Sequence, residues 1–313
     1  MRKAMFIMGC VLVSISSLGQ DSTKFRKFYI EIGGGYNFPA VNDELQSPRE
    51  QVGTLDHLMR EDSSLSVRPV QGTLGGGWKS SLNVGYMFHP NIGIEFQFNY
   101  VRGDNILMSR INTPTYKAEH SLLSQRVELI PQLVLNHQIK RWGIYSKSGV
   151  ILPLWGYVES TITVDDQDGR SVEALLGFSV PGLQAKVSAK ARTNPRFSYG
   201  FQTRLGVSFK ASNLISIYAE ASYAALSIRA KETITQEMNI ELSNDNGSSP
   251  FNLTMESLDV ISINSNYVDE ITETSNNPLY NPNSDPTKPL DEPTFKDNFN
   301  NVGVSIGIRF NIW

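Results

Sequence analysis

The chain has 313 residues, a formal net charge of −3, a pI near 5.9 and 40% hydrophobic residues. That length allows one large domain or two medium ones, and the weakly acidic balance excludes the basic surface that a nucleic-acid partner selects. Cys10 is the only cysteine, which excludes a disulfide framework and a thiolate metal cluster, and a mean hydropathy of −0.24 excludes a polytopic helical membrane protein.

Arg2 and Lys3 precede the one long apolar run, Ala4 to Leu18, and small residues Ser17 and Gly19 follow where a signal peptidase reads. Residues 1–19 therefore read as a secretory signal peptide cut before Gln20, leaving 20–313 as the mature chain. The run is broken by serines and too short to span a bilayer as a helix. Ile7-Met8-Gly9-Cys10 leaves too little apolar sequence before the cysteine for a lipoprotein signal.

The first strand expected is Phe28 to Tyr36, with Phe28, Ile30 and Ile32 on one face. A long connection, about 37–78, follows. In it Ser47-Pro48 and the residues to Arg60 have the start signals of a short helix. GTLGGG (72–77) lacks the lysine and helix of a phosphate-binding loop and reads as a flexible entry to the next strand. Strands at Ser80 to His89 and Ile92 to Arg102 are joined by the turn His89-Pro90-Asn91.

The fourth strand runs from about His120 to Asn136, with Leu123, Val127, Leu129, Leu133 and Leu135 on its greasy face. Pro131 inside it predicts a bulge or a locally broken ladder. Arg141 to Trp155 follows, then a second long segment (156–195), then Arg196 to Lys210 and Leu214 to about Ala230. The segment 231–300 is the longest connection. An Asn-Gly turn near its start predicts a hairpin that prolongs the seventh strand, and the prolines at 278, 282, 286, 289 and 293 predict an extended stretch without regular structure. From Asn301 to Trp313 apolar residues, ending in Phe310 and Ile312, alternate with small or polar ones, and the aromatic Trp313 closes the sequence one residue out of phase.

Eight strands with short connections at one end and long ones at the other predict an all-β fold: an antiparallel up-and-down barrel. The polar faces decide which side meets water. They carry Gly, Ser, Asn and Gln with isolated charges, Glu31, Glu95, Arg126, Glu128, Lys147, Arg204, Glu220 and Arg309. Four acids and four bases point to pairing inside a narrow bore, because an eight-stranded interior is filled by side chains and buried charges require partners. The bland alternative places some of them in water at the rims. Tyr29, Trp142, Trp155, Tyr157, Phe197 and Tyr199 are placed as interfacial aromatics.

The chain resembles the small eight-stranded bacterial outer-membrane β-barrel proteins, through its strand pattern, its aromatic last strand and the hairpin Phe88 to Glu95. The resemblance implies a transmembrane barrel with long extracellular loops, termini in the periplasm, insertion by the barrel-assembly machinery, and contact with outer-membrane lipid and lipopolysaccharide. It implies no reaction and no cofactor, and the chain lacks the appended peptidoglycan-binding domain of some relatives. Residues 231–300 hold 13 acids and 3 bases. Their acids Asp259, Asp269, Glu270, Glu273, Asp285, Asp291 and Glu292 either gather divalent cations or are simply solvated, and they lack calcium-loop spacing. The expected function is a non-enzymatic barrel with a plugged lumen, acting through surface loops on an unidentified extracellular ligand or in envelope support. The alternatives are a small-solute, porin-like channel, a lipid hydrolase using His120 and Ser121, and a secreted soluble barrel.

Overall fold

A computed structural model of the chain describes residues 26–40, 58–61, 64–67, 73–169, 182–244 and 251–312. The signal-peptide reading of 1–19, the helix start at Ser47-Pro48 and Trp313 all lie outside these residues. The tail of the expected helix is described and is not helical.

In chain order the strands are β1 (Phe28–Pro39), β2 (Leu58–Glu61), β3 (Ser64–Val67), β4 (Gly77–His89), β5 (Ile92–Asn112), β6 (Tyr116–Ile139), β7 (Trp142–Asp166), β8 (Leu183–Pro195), β9 (Gly200–Lys210) and β10 (Ile215–Asn244). Then come β11 (Phe251–Thr254), a one-turn helix α1 (Val260–Ile263), β12 (Ser265–Val268), β13 (Leu290–Pro293), β14 (Lys296–Asn298) and β15 (Asn301–Asn311). Antiparallel pairing runs β1-β4-β5-β6-β7-β9-β10-β15 and back to β1, so eight strands close a ring. Closure leaves no strand of the ring as a free edge strand.

Every ring strand alternates, and the outward positions are the greasy ones. Ile94, Phe96 and Phe98 on β5, Leu205 and Val207 on β9, and Val304, Ile306 and Ile308 on β15 all stand exposed. In water such a surface would be a large unprotected apolar patch. Nine to eleven residues per crossing suffice for a bilayer, which the 11–13 residues of β1, β4, β9 and β15 supply.

The other four strands are much longer, up to 30 residues in β10, and continue past the apolar belt as a wall. Along β10 the outward row changes from Ile217, Ala219, Ala221 and Tyr223 to Arg229 and Lys231; along β7, residues beyond Trp155 become Glu159, Thr161, Thr163 and Asp165. Here the outward charges pair on the surface, Arg110 with Glu119 at 3.1 Å and Glu159 with Lys190 and Arg192 at 3.2 Å.

The wall corrects the expectation of a long loop at 156–195. Residues to Asp166 extend β7, and β8 pairs with both β7 and β10, standing above β9 as its continuation after a break at residues 196–199. Phe197 and Tyr199 sit in that break rather than in a strand, and are strongly exposed beside the belt. The hairpin expected after the seventh strand is present, with Leu242 opposite Phe251. Pro131 coincides with an interruption of the β6–β7 ladder, next to a bulge at Val127 and Glu128. The proline-rich stretch is largely irregular but includes β13, which pairs in parallel with β12 ahead of it.

If the belt faces lipid, Ile306→Lys at its middle costs about 2–4 kcal/mol. Thr163→Lys, outward on the wall, stays within about 0.5 kcal/mol. Urea unfolding of the two variants refolded in lipid vesicles measures the difference.

Candidate functional site

The inward positions hold a dense polar layer. Glu31, Glu95, Arg126, Glu128, Lys147, Arg204, Glu220 and Arg309 are all buried, and six of them form one connected chain across the bore. Arg309 donates to Glu31 at 2.7 Å, and Lys147 bridges Glu31 and Glu95, each at 2.7 Å. Arg204 then bridges Glu95 at 2.9 Å and Glu220 at 2.7 Å. Asn83 on β4 donates to Glu31 at 2.7 Å and Gln132 on β6 to Glu95 at 2.6 Å. Each of the eight ring strands therefore puts a side chain into this network.

Register explains the convergence. Glu31 lies directly opposite Arg309 on one side and Asn83 on the other, while Lys147 lies opposite Arg204, so the polar groups occupy one level of the ring. Tyrosines fill the space between them. Tyr29 donates to Glu95 at 2.6 Å and Tyr145 to Glu220 at 3.2 Å, and the Arg309 guanidinium lies 4.4 Å from the centre of the Tyr29 ring. Tyr29 thus belongs to the lumen, not to the interfacial aromatics. Its ring lies against Gly85, where an added Cβ would come within 2.0 Å of it.

Arg126 and Glu128 form a separate pair at 2.5 Å, with Asn99 donating to Glu128 at 3.2 Å. They sit under a second, apolar layer. Leu74, from the glycine-rich stretch, and Phe299, just before β15, enter the bore and pack with Met108, Leu122, Ile130, Ile151, Leu226 and Ile228. The stretch is held in place, not a flexible lead-in. Leu74 N donates to Asn298 O at 2.9 Å, and the Ser124 hydroxyl donates to Leu74 O at 2.9 Å. Gly75 passes so close to Phe299 that a Cβ there would lie 2.1 Å from the Phe299 carbonyl oxygen.

A polar, side-chain-filled interior inside an apolar exterior inverts the arrangement of a soluble barrel. The chain has the fold of a small bacterial outer-membrane β-barrel. No family model matches the sequence, and no curated protein is significantly similar to it. Among solved structures it is similar to Neisserial surface protein A, with a TM-score of 0.34 and 9% identity over 91% of this chain and 96% of that one. It is also similar to Ail, the attachment invasion locus protein of Yersinia pestis, at 0.30 and 10% over 91% and 99%. Outer membrane protein W of E. coli gives 0.23 and 11% over 90% and 97%.

Outside the two packed layers of the bore the candidate chemistry does not assemble among the described residues. His120 points into the wall, its Nε2 2.9 Å from the Ser160 hydroxyl, while neighbouring Ser121 lies on the opposite face. Consecutive strand residues point apart, so His120 and Ser121 make no dyad. Of the loop acids, Asp291 accepts from Asn276 N at 2.6 Å, Asp285 pairs with Lys288 at 3.0 Å, and Asp269 pairs with Arg196 at 3.1 Å. They fasten the loop to itself and to the wall. Among the described residues no group of three or more His, Cys, Asp or Glu is placed to hold a metal ion. Asn276 is the hub of this loop and also donates to Asp285 O at 3.1 Å and Pro289 O at 2.9 Å.

Beside the apolar layer the ring has a seam. β7 pairs with β9 up to Ile151 and with β8 from Val158, and residues 152–157 between have no ladder partner on that side among the described residues. A narrow crevice there is lined by Pro153, Trp155, Tyr157, Asn194, Asp297 and Phe299. Burial pushes the Asp297 carboxyl, just above the belt, up to about 7.

Two outcomes follow from this geometry. Glu95→Gln strips two buried cations of a partner and destabilises the barrel by about 3–5 kcal/mol. Glu119→Gln, which removes an exposed pair, costs about 0–1 kcal/mol. Equilibrium unfolding followed by tryptophan fluorescence separates them. For Asp297 the folded state holds its proton more tightly than the unfolded chain. Its contribution to stability therefore falls as pH rises from about 4 to about 7, and Asp297→Asn removes that loss. A wild-type minus variant stability difference that stays constant between pH 5 and pH 8 contradicts the assignment.

Proposed function

We propose that this chain is a non-enzymatic outer-membrane protein, closed in the plane of the membrane, that acts through the folded wall and loops it holds outside the bilayer. One observation carries the reading: the bore is filled twice, by the ion-paired layer and by the apolar layer of Leu74 and Phe299. A barrel built to pass solutes would have to break both. The wall supports the second half of the reading, since β5, β6, β7 and β10 continue far past the belt and carry an internally hydrogen-bonded loop at residues 255–300. In this proposal the rim of short turns faces the periplasm, and lipid and lipopolysaccharide surround the belt. The barrel-assembly machinery inserts the chain, and an extracellular ligand or an envelope-supporting contact engages the wall.

The alternative of a small-solute channel is decided by planar-bilayer recording. The purified barrel is expected to show no steady conductance, and a stable ohmic step overturns the plugged reading. Orientation is tested separately with Lys288→Cys, since the natural chain has only Cys10. Labelling of intact cells by a membrane-impermeant maleimide is expected. Labelling only after the outer membrane is breached reverses the assignment.

A further inference from the structure

The lumen contains a ninth charged residue that the pairing does not account for. Lys79 on β4 points inward and is buried, 3% exposed. Its ammonium has no hydrogen-bond partner and no carboxylate within 4.0 Å among the described residues. Glu220 and Glu128 are the acids that act on it electrostatically, and Arg204 and Arg126 act on it in the opposite sense. Both acids already hold one of those arginines. Within the belt, five bases (Lys79, Arg126, Lys147, Arg204, Arg309) stand against four acids (Glu31, Glu95, Glu128, Glu220). A buried ammonium is costly without a counter-charge, so the site either gives up its proton or holds an anion beside it.

The side chains around Lys79 share one character. Asn37 Oδ1, Ser222 Oγ and Ser305 Oγ are likewise buried without a partner. They come from β1, β10 and β15, at adjacent register positions: Asn37 and Ser222 both face Gly303, Ser305 faces Glu220, and Lys79 faces Gly35. A Cβ at Gly303 would lie 2.5 Å from Asn37 Oδ1, 2.6 Å from Ser222 Oγ and 3.5 Å from Lys79 Nζ, so these polar atoms converge over the glycine backbone. Lys79 offers only donors and each serine offers an O–H, while the Asn37 amide oxygen accepts. Hydroxyl donors beside a positive charge suit a compact anion.

We propose that the lumen binds a monovalent halide, chloride in the cell, between Lys79, Ser222 and Ser305, as the counter-ion that completes its charge balance. The proposal stands on the charge count and the convergence of donors, independently of whether the barrel conducts.

The test uses the full mature barrel and bromide as the probe. Crystals grown in sodium bromide are expected to show an anomalous peak against Lys79 Nζ. Unfolding in bromide is expected to be suppressed relative to gluconate at equal ionic strength, by about tenfold in the unfolding equilibrium when bromide is ten times its Kd. Lys79→Met is expected to abolish both the peak and the salt specificity. If Lys79→Met does not fold, Ser222→Ala, which keeps the charge, is expected to raise the bromide concentration needed for the same protection. A site showing only ordered water, or identical unfolding in the two salts, overturns the proposal, as does bromide protection that survives in the Lys79 variant.

Discussion

The contact on which the rest of the molecule depends is the bridge of Lys147 between Glu31 and Glu95. It reaches across the bore from β7 to β1 and β5, and with Arg204, which reaches Glu95 from β9, it ties together strands that are not neighbours in the ring. Backbone ladders fix each strand to the next, but they leave the cross-section of a barrel free to flatten. Ion pairs across the diameter, in an interior shielded from water and stronger for it, fix that cross-section. The same bridges dispose of polar groups whose exposure to lipid would be prohibitive, so the apolar belt and the charged core are two results of one period-two pattern.

Above this layer, the apolar layer and the wall extend the same logic with different chemistry. Past the belt, the outward row turns to Arg, Lys, Glu and Thr while the inward row of β6, β7 and β8 becomes Ala, Val and Tyr, with Tyr116, Ala118 and Val164 packed together. Inside and outside have exchanged polarity, as they must where the surroundings change from lipid to water. The aromatic residues Trp78, Trp155, Phe197 and Tyr199 mark the level of the exchange.

Much of this was legible in the residues. Wherever strands are strictly alternating, parity assigned each side chain to lipid or lumen, and the charges at Glu31, Glu95, Lys147 and Arg309 could be placed on a single face. What parity could not supply was the limits of the strands. A strand that begins at Ser80 starts one position too late to count Lys79. Tyr29 reads as interfacial from its place near a strand end, although it alternates with Phe28 and Ile30. The wall was hidden in segments whose outward residues are polar and whose inward ones are small, a weak contrast that resembles a loop. The apolar layer was the hardest to foresee, because a glycine-rich stretch carries no periodicity and its packing with Phe299 joins segments more than 200 residues apart.

That last separation governs the order of assembly. Phe299 and Leu74 stand just ahead of β15 and β4, and β15 reaches its place only by pairing with β1, which brings Arg309 to Glu31 across 278 positions of sequence. Contacts so distant carry the largest loop-closure cost and form late. Neither the apolar layer nor the far end of the charge chain is complete until the first and last strands meet. An unfinished sheet therefore leaves its polar face open to water, and that face turns inward in the step that makes the sheet a barrel. The packing of Leu74 and Phe299 acts as a latch, and its setting marks the moment the sheet becomes a ring.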